Sequence, residues 1–444
     1  MNVNLVESSD PQVDASSQDL AAALAAIRRR LVPFLFLLYI FAYLDRINVG
    51  FASLQMNRAL GFSASTYGLG AGIFFLSYVT FEVPSNLILA RVGARLWIAR
   101  IMITWGLVSA ATLFVKSAAM FYVLRFLLGL AEAGFFPGII FYLTHWVPAT
   151  DRARTIATFM TATLIAGVVG GPISGALLSL DGLRGLAGWQ WLFLLEGVPS
   201  IAAGIVVLRV LEDRPEEAGW LSERQKRALV GRLREEAAAE RQPHGVARAL
   251  GSPRIWLLGV AHFFAIPVAL YGFGFWLPQI IQSTFTGSGF EIGVLSAIPY
   301  FVGAVVMVMV GRRSDRTGEH KWHVAIAALT SCIGFVATPF AHGTALAIVT
   351  LTIAMAGLAS IFGPFWAIGS SLVQGAGAAA SIALVNSVGN IGGFVGPYLL
   401  GYIKDHTQSF AIGLIALGAM VALGGALVLA LPVERRASGP EASA

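Results

Sequence analysis

Apolar runs of hydrocarbon length recur along this 444-residue chain, separated by short polar stretches. About 20 apolar residues, each rising 1.5 Å, carry an α-helix across a bilayer core. Each run therefore predicts a membrane-crossing helix. The expected spans are roughly 30–53, 66–90, 97–116, 119–142, 155–180, 190–210, 254–282, 291–311, 323–342, 344–372, 376–403 and 409–432. This pattern describes an all-α integral membrane protein with twelve transmembrane helices. Only 1–27 and 212–253 are polar enough to lie in water. The first is rich in Ser, Asp and Gln and reads as a disordered terminus. In the second, Ser222 and Gln225 have capping-box spacing, and Ala228, Leu229 and Leu233 give a weak apolar stripe. A short helix on the membrane surface fits this stretch, and so does a solvated tether.

The chain repeats itself. Gly93 in RVGAR and Gly318 in RTGEHK are 225 residues apart, and so are Pro172 in GGPISG and Pro397. Two landmarks at one offset imply duplicated halves. We read six-helix bundles at 28–211 and 254–433, a linker at 212–253 and a tail at 434–444. The 49 glycines cluster in the fifth and eleventh spans. Small residues there let helices approach closely, whether for tight packing or for relative motion.

Composition supports the membrane class: 57% of residues are hydrophobic and 12% charged, about half the charged fraction of a soluble protein. The placement of the +6 net charge says more than its size. Of 30 Lys and Arg, only Arg58, Lys116, Arg184 and Lys404 fall in loops on the side opposite the N-terminus, and Arg46 and Arg125 lie inside spans. The positive-inside rule then puts both termini in the cytoplasm of a bacterial-type inner membrane. Because the basic residues edge helices and form no single patch, no nucleic-acid partner is expected. The cluster Arg28–Arg30 abuts a segment too long for a signal h-region, so the first span is expected to stay as an anchor. The single cysteine, Cys332, can form no intrachain disulfide. No phosphate-cradling loop and no metal-ligand spacing appears, so the expectation is a non-enzyme without cofactor or metal, driven by an ion gradient.

Among the charged residues within the spans, five carry the argument: Asp45, Arg46, Glu82, Arg125 and Glu132. Charges in hydrocarbon are expensive and mark function. Arg125 and Glu132 are two turns apart on one helix face, about 10.5 Å along the axis, with Gly129 between them expected to leave open space. Asp45 and Arg125 lie at similar depth, which suggests a contact between them. Asn48 follows Asp45 on the same face, and Tyr78 and Glu82 share another. An arginine stays charged and can grip a carboxylate through two parallel hydrogen bonds. A buried carboxylate displaced from its arginine tends to bind a proton. Together these groups can link an organic anion to a proton. Structural roles compete with this reading. Asp45 and Arg46 could form a local ion pair, Glu132 could cap a polar network, and Glu82 suits a gate as well as a coupling group. Glu196 reads as structural, and His262 as satisfied by a backbone carbonyl. At the 225 offset the four core charges map to Leu270, Tyr271, Thr350 and Gly357. The second half offers instead Tyr271, Trp276, Gln279, Tyr300, Phe362, Trp366, Asn386 and Asn390, a set suited to closing over a substrate body. Trp276 is better explained by packing, and Asn390 is the strongest contact candidate.

Several stretches resemble the major facilitator superfamily, and within it the anion:cation symporter family. They are YLDRINVGFA (43–52), FEVPSNLILARVGARLWIAR (81–100), RFLLGLAEAGFFPG (125–138), YGFGFWLPQII (271–281), LSAIPY (295–300) and GRRSDRTGEHKWHV (311–324). The resemblance implies a monomeric secondary transporter that imports a small organic anion with a proton by alternating access. Tartrate-like hydroxy acids, sugar acids and aromatic carboxylates are its substrate classes. It implies proton coupling at Asp45 and Glu132 and anion binding at Arg46 and Arg125, with Tyr43 and Tyr78 near the ligand. Asn48, Tyr271, Asn386 and Asn390 are further substrate candidates, and Glu82, Arg91, Arg95, Asp315 and Arg316 form a candidate cytoplasmic gate. One departure is visible: the loop NLILARVGAR lacks an acid, whereas its counterpart keeps Asp315, so Arg91 and Arg95 are expected to lack a partner from their own loop. An anion/organic phosphate antiporter is the main alternative, although Tyr271 stands where such exchangers place a second arginine. A non-transporting membrane sensor is a third reading, without an attached signalling domain to support it.

Overall fold

The computed structural model describes residues 11–239, 251–372 and 378–432. Its helices in the first half are α1 (Pro11–Leu60), α2 (Ala64–Val92), α3 (Ala94–Ala111), α4 (Ala118–Glu132), α5 (Phe135–Thr144), α6 (Ala149–Leu178) and α7 (Gly188–Val210). The linker contributes α8 (Glu223–Ala239). The second half holds α9 (Pro253–Ala265), α10 (Pro267–Gln282), α11 (Gly289–Thr317), α12 (Lys321–Ala337), α13 (Thr344–Leu372), α14 (Ala378–Asn390), α15 (Gly392–Thr407) and α16 (Ala411–Ala430). The pairs α4–α5, α9–α10 and α14–α15 each make one broken crossing. Among the described residues, ten helices or helix pairs are long and apolar enough to cross a membrane. α1, which carries Asp45 and Arg46, and the α14–α15 pair complete the expected twelve.

The chain divides into two compact units. The first comprises residues up to 62, then 73–241 and 287–297. Here α3 lies along α7, and α1 lies against α6 and α7. α1 corrects one expectation. The segment to residue 27, read as disordered, is helical from Pro11. The run Ala21–Ala26 is rich in the strongest helix former, and Ala23, Ile27 and Leu31 are fully buried, as is Leu229 of the neighbouring α8.

The linker helix is docked and is no loose tether. Its capping box forms as the spacing suggests: Ser222 N donates to Gln225 Oε1 at 2.9 Å, and Gln225 N donates to Ser222 Oγ at 3.3 Å. Trp220 stacks on Trp146 with ring centres 5.6 Å apart, and Arg30 lies over Trp220 at 5.4 Å. Glu236 accepts from Ala149 N at 2.9 Å and lies 3.9 Å from Arg152. The acid missing from the α2–α3 loop also comes from this region. Asp213 accepts from Arg95 N at 2.9 Å and caps α3, where Gly93 turns the chain at φ +100°. Arg91 and Arg95 are exposed and make no salt bridge among the described residues.

The second unit comprises 63–72, 242–286 and residues from 298 onward. α12 packs on α13 and α16, and α10 packs on α15. Trp276 Nε1 donates to the Pro397 carbonyl at 3.0 Å, the packing role expected for it. His262 is satisfied by the Val385 carbonyl at 3.2 Å and stacks on Phe365. The N-terminus of α2 belongs to this unit. Asp405 accepts from Ala64 N and Ser65 N at 2.9 and 2.7 Å, and Tyr67 donates to the Phe275 carbonyl at 2.8 Å.

Candidate functional site

Asp45 and Arg46 are consecutive on α1, so they point about 100° apart around the helix. Each meets different neighbours. Arg46 turns to α4 and α2. It forms a buried salt bridge with Glu132, and its guanidinium lies over Phe74 at 5.5 Å and Tyr78 at 5.4 Å. Arg125 lies over the same Phe74 ring at 5.1 Å. Two guanidinium groups thus gather around one aromatic ring, where cation–π attraction helps to hold them. Glu82, one turn beyond Tyr78 on α2, lies within electrostatic reach of Arg46, and its buried Oε2 has no hydrogen-bond partner among the described residues. Arg46, Arg125, Glu132, Tyr78 and Glu82 therefore share one site within the first unit.

Local backbone geometry places Glu132. α4 stops at this residue, Ala133 is extended (φ −53°, ψ 130°), and Gly134 takes φ +85° before α5 begins. A side chain at Gly134 would be strained in that left-handed region and would also crowd Ser85. The site thus lies at a helix interruption. Gly129 does not leave open space, as the sequence suggested. The backbone of Phe74 and the hydroxyl of Ser77 fill the position where a Cβ would stand. Its role is to let α2 press against α4, which brings the Phe74 ring under both arginines.

Asp45 corrects a second expectation: it makes no contact with Arg125. Its carboxylate accepts from Trp105 Nε1 at 2.7 Å, from the Ser109 and Ser200 hydroxyls at 2.8 Å each, and from Asn48 Nδ2 at 3.4 Å. Depth alone suggested the Arg125 contact, but the helix face directs Asp45 toward α3 and α7. Glu196 belongs to the same surroundings, accepting from Ser174 Oγ at 2.8 Å. Sequence reasoning missed this cluster, although a signal was present. Ser109 lies four residues after Trp105, Ser200 four after Glu196, and Asn48 three after Asp45, which makes three polar pairs at helical spacing in otherwise apolar spans.

The remaining candidates scatter. Tyr43 packs in an apolar cluster with Ile47 and Ala166. In the second unit Tyr271 tilts against Phe275 at 5.9 Å, and Asn386 and Asn390 are half-buried on α14. Asp315 and Arg316 are exposed near the end of α11.

Buried arginines beside buried carboxylates in a twelve-crossing helical protein fit a membrane carrier, and the sequence comparison decides which kind. Residues 35–397 match the model of the Major Facilitator Superfamily. The chain belongs to this superfamily. A protein of Agrobacterium vitis, named "Putative tartrate transporter", is 48% identical over 412 residues, which cover 93% of this chain and 91% of that one. NicT of Pseudomonas putida, named as a metabolite transport protein, is 44% identical over 416 residues, covering 93% and 95%. Among solved structures, a bacterial homolog of the human lysosomal transporter Spinster, inward-facing and occupied, superposes with a TM-score of 0.75 at 16% identity. That match covers 90% of this chain and 96% of the other, a likeness of fold alone. This facilitator is a multi-pass membrane transporter of a small molecule, not an enzyme.

Proposed function

We propose that this facilitator imports a small organic carboxylate by proton symport with alternating access. Its membrane is a bacterial inner membrane, its termini are cytoplasmic, it works as a monomer, and its energy source is the proton gradient, without a cofactor. The observation that carries this reading is the buried Arg46–Glu132 pair with Arg125 on the same aromatic ring. In the empty site Glu132 neutralises Arg46. A substrate carboxylate that takes over Arg46 in the bidentate manner of guanidinium groups displaces Glu132. Glu132 then sheds its bare charge by taking up a proton. The fully loaded and the empty site carry less uncompensated charge than the half-loaded states, so these two are the ones that cross between orientations. Hydroxylated acids such as tartrate are the favoured class, supported by the relative's name and by the several polar groups around the two arginines.

Purified protein in liposomes tests the reading. Under an inward proton gradient it should accumulate labelled tartrate or another member of a carboxylate panel, and a protonophore should collapse that accumulation. Arg125→Lys should weaken uptake affinity, because an ammonium cannot form the two-bond fork. Uptake indifferent to acidity on either face would overturn proton coupling.

A further inference from the structure

Arg100 is a further charge within the third crossing, six residues past its start at Ala94, or about 9 Å along α3. It shares a helix face with Leu96 and Leu107, which are 53% and 54% exposed. In a membrane protein that apolar, exposed stripe faces lipid. The half-buried guanidinium lies over the Trp97 ring at 3.9 Å. Trp97 is itself fixed, donating from Nε1 to Ser85 Oγ at 3.0 Å. Among the described residues the Arg100 guanidinium makes no hydrogen bond and no salt bridge, and its Nε is buried without a partner. A charge on a lipid-facing stripe is costly. The cost falls when the long side chain reaches up to an anion in the headgroup layer.

Three more arginines stand at the same end of the first unit. α7 runs antiparallel to α3: Gly106 meets the Gly197 carbonyl, and Gly204 meets the Ala99 carbonyl. Continued along both helices, that register brings Arg209 level with the start of α3 and hence with Arg95. Arg209 follows the exposed Ile205 and Val206 at helical spacing, and Arg91 follows the exposed Val83 and Leu87 of α2 in the same way. α2, α3 and α7 therefore all carry arginine at the end of a lipid-facing stripe. Arg91, Arg95 and Arg209 are exposed and make no salt bridge among the described residues. The carboxylate of Asp213 beside them is engaged by the backbone amide of Arg95.

We propose that Arg91, Arg95, Arg100 and Arg209 bind the headgroup phosphate of an anionic phospholipid. Guanidinium groups grip phosphate oxygens through paired hydrogen bonds. Trp97 backs the site, and the acyl chains run along Leu96, Leu107 and Val206. A free phosphate would leave those apolar stripes unused, which is why the geometry favours a lipid. The lipid also supplies the anion that the acid-less loop NLILARVGAR withholds from Arg91 and Arg95. This site stands apart from the Arg46–Glu132 pair and is independent of the transported anion and of the coupling ion.

Native mass spectrometry of the full-length protein in detergent, with phosphatidylglycerol and phosphatidylcholine in competition, tests this. Phosphatidylglycerol should be retained in preference. One basic residue at the membrane surface contributes about fivefold in affinity for an anionic lipid. Arg100→Gln and Arg209→Gln should each lower phosphatidylglycerol affinity by about that factor and leave phosphatidylcholine affinity unchanged. Arg234→Gln, on the exposed side of α8, should alter neither. Equal retention of the two lipids would overturn the proposal, and so would unchanged phosphatidylglycerol affinity in Arg100→Gln and Arg209→Gln. An equal loss in Arg234→Gln would reduce the effect to net charge and overturn the site. Displacement of phosphatidylglycerol by inorganic phosphate would make the occupant a soluble anion and overturn the lipid assignment. Should Arg100→Gln fail to fold, the surface variant Arg209→Gln decides alone.

Discussion

Glu132→Gln removes the negative partner of Arg46 while keeping the shape of the side chain. Arg46 and Glu132 have side chains only 10% and 2% exposed, so water cannot replace the lost charge. Removing one member of a buried ion pair costs about 3–5 kcal/mol. Gln still offers Arg46 a carbonyl oxygen, which favours the lower end. The empty variant should therefore melt at a lower temperature than the wild type. An anion that places its own carboxylate on Arg46 should restore most of that loss. In the wild type the anion must first displace Glu132, and in the variant it need not. A difference of about 3 kcal/mol corresponds to roughly a 100-fold tighter Kd. Thermal unfolding in detergent, titrated with the transported anion, reads both effects. In liposomes the same protein should exchange anion by counterflow yet fail to accumulate it under a proton gradient. Unchanged melting and affinity, or accumulation that still follows the gradient, would refute the assignment of Glu132 as the acid that the anion displaces.

Gly129→Ala should press a methyl group into the Phe74 carbonyl and Ser77 hydroxyl, costing about 1–3 kcal/mol of stability; because Phe74 carries both guanidinium groups, anion affinity measured by thermal shift should fall with it. Asp213→Ala removes the cap on Arg95 N and should cost about 1 kcal/mol in thermal unfolding, with little effect on anion affinity. Asp405 lies beyond the end of the eleventh predicted span. Partial burial raises its pKa, but hydrogen bonds from Ser65 and Ala64 outweigh this and hold it below the ordinary value of 3.8. Its contribution to stability is therefore complete above that ordinary value and is lost as pH falls through the still lower folded one. Asp405→Asn should melt below the wild type at neutral pH, and the gap should close only in acid beneath the usual carboxylate range. A gap that closes already between pH 7 and 5 would refute the cap.

The twelve crossings were legible because hydrocarbon length and apolar composition leave little freedom. The same holds for the Ser222–Gln225 capping box and for the convergence of Arg125 and Glu132 on one face, both of which follow from local helix geometry. Neighbour relations were not legible. Spacing gives the depth of Asp45 but not which helix stands opposite it, and the Arg125 contact failed on that point. Gly129 was misread because a glycine marks equally a hole and a place where another backbone enters; only the position of α2 distinguishes them. The helix interruption after Glu132 was hidden inside an unbroken apolar run, with Gly134 and Pro137 as its only written trace. The amino-terminal helix was missed because polar composition was weighed above the alanine run that follows it.

Because Asp45 and Arg46 are bolted to the same stretch of α1, neither can be moved alone. Any twist of that rod that loosens the guanidinium from Glu132 must also drag Asp45 against Trp105, Ser109 and Ser200. The two acidic centres are in this sense geared to one shaft, and a disturbance at either is transmitted to the other by rotation, without a chain of intervening side chains.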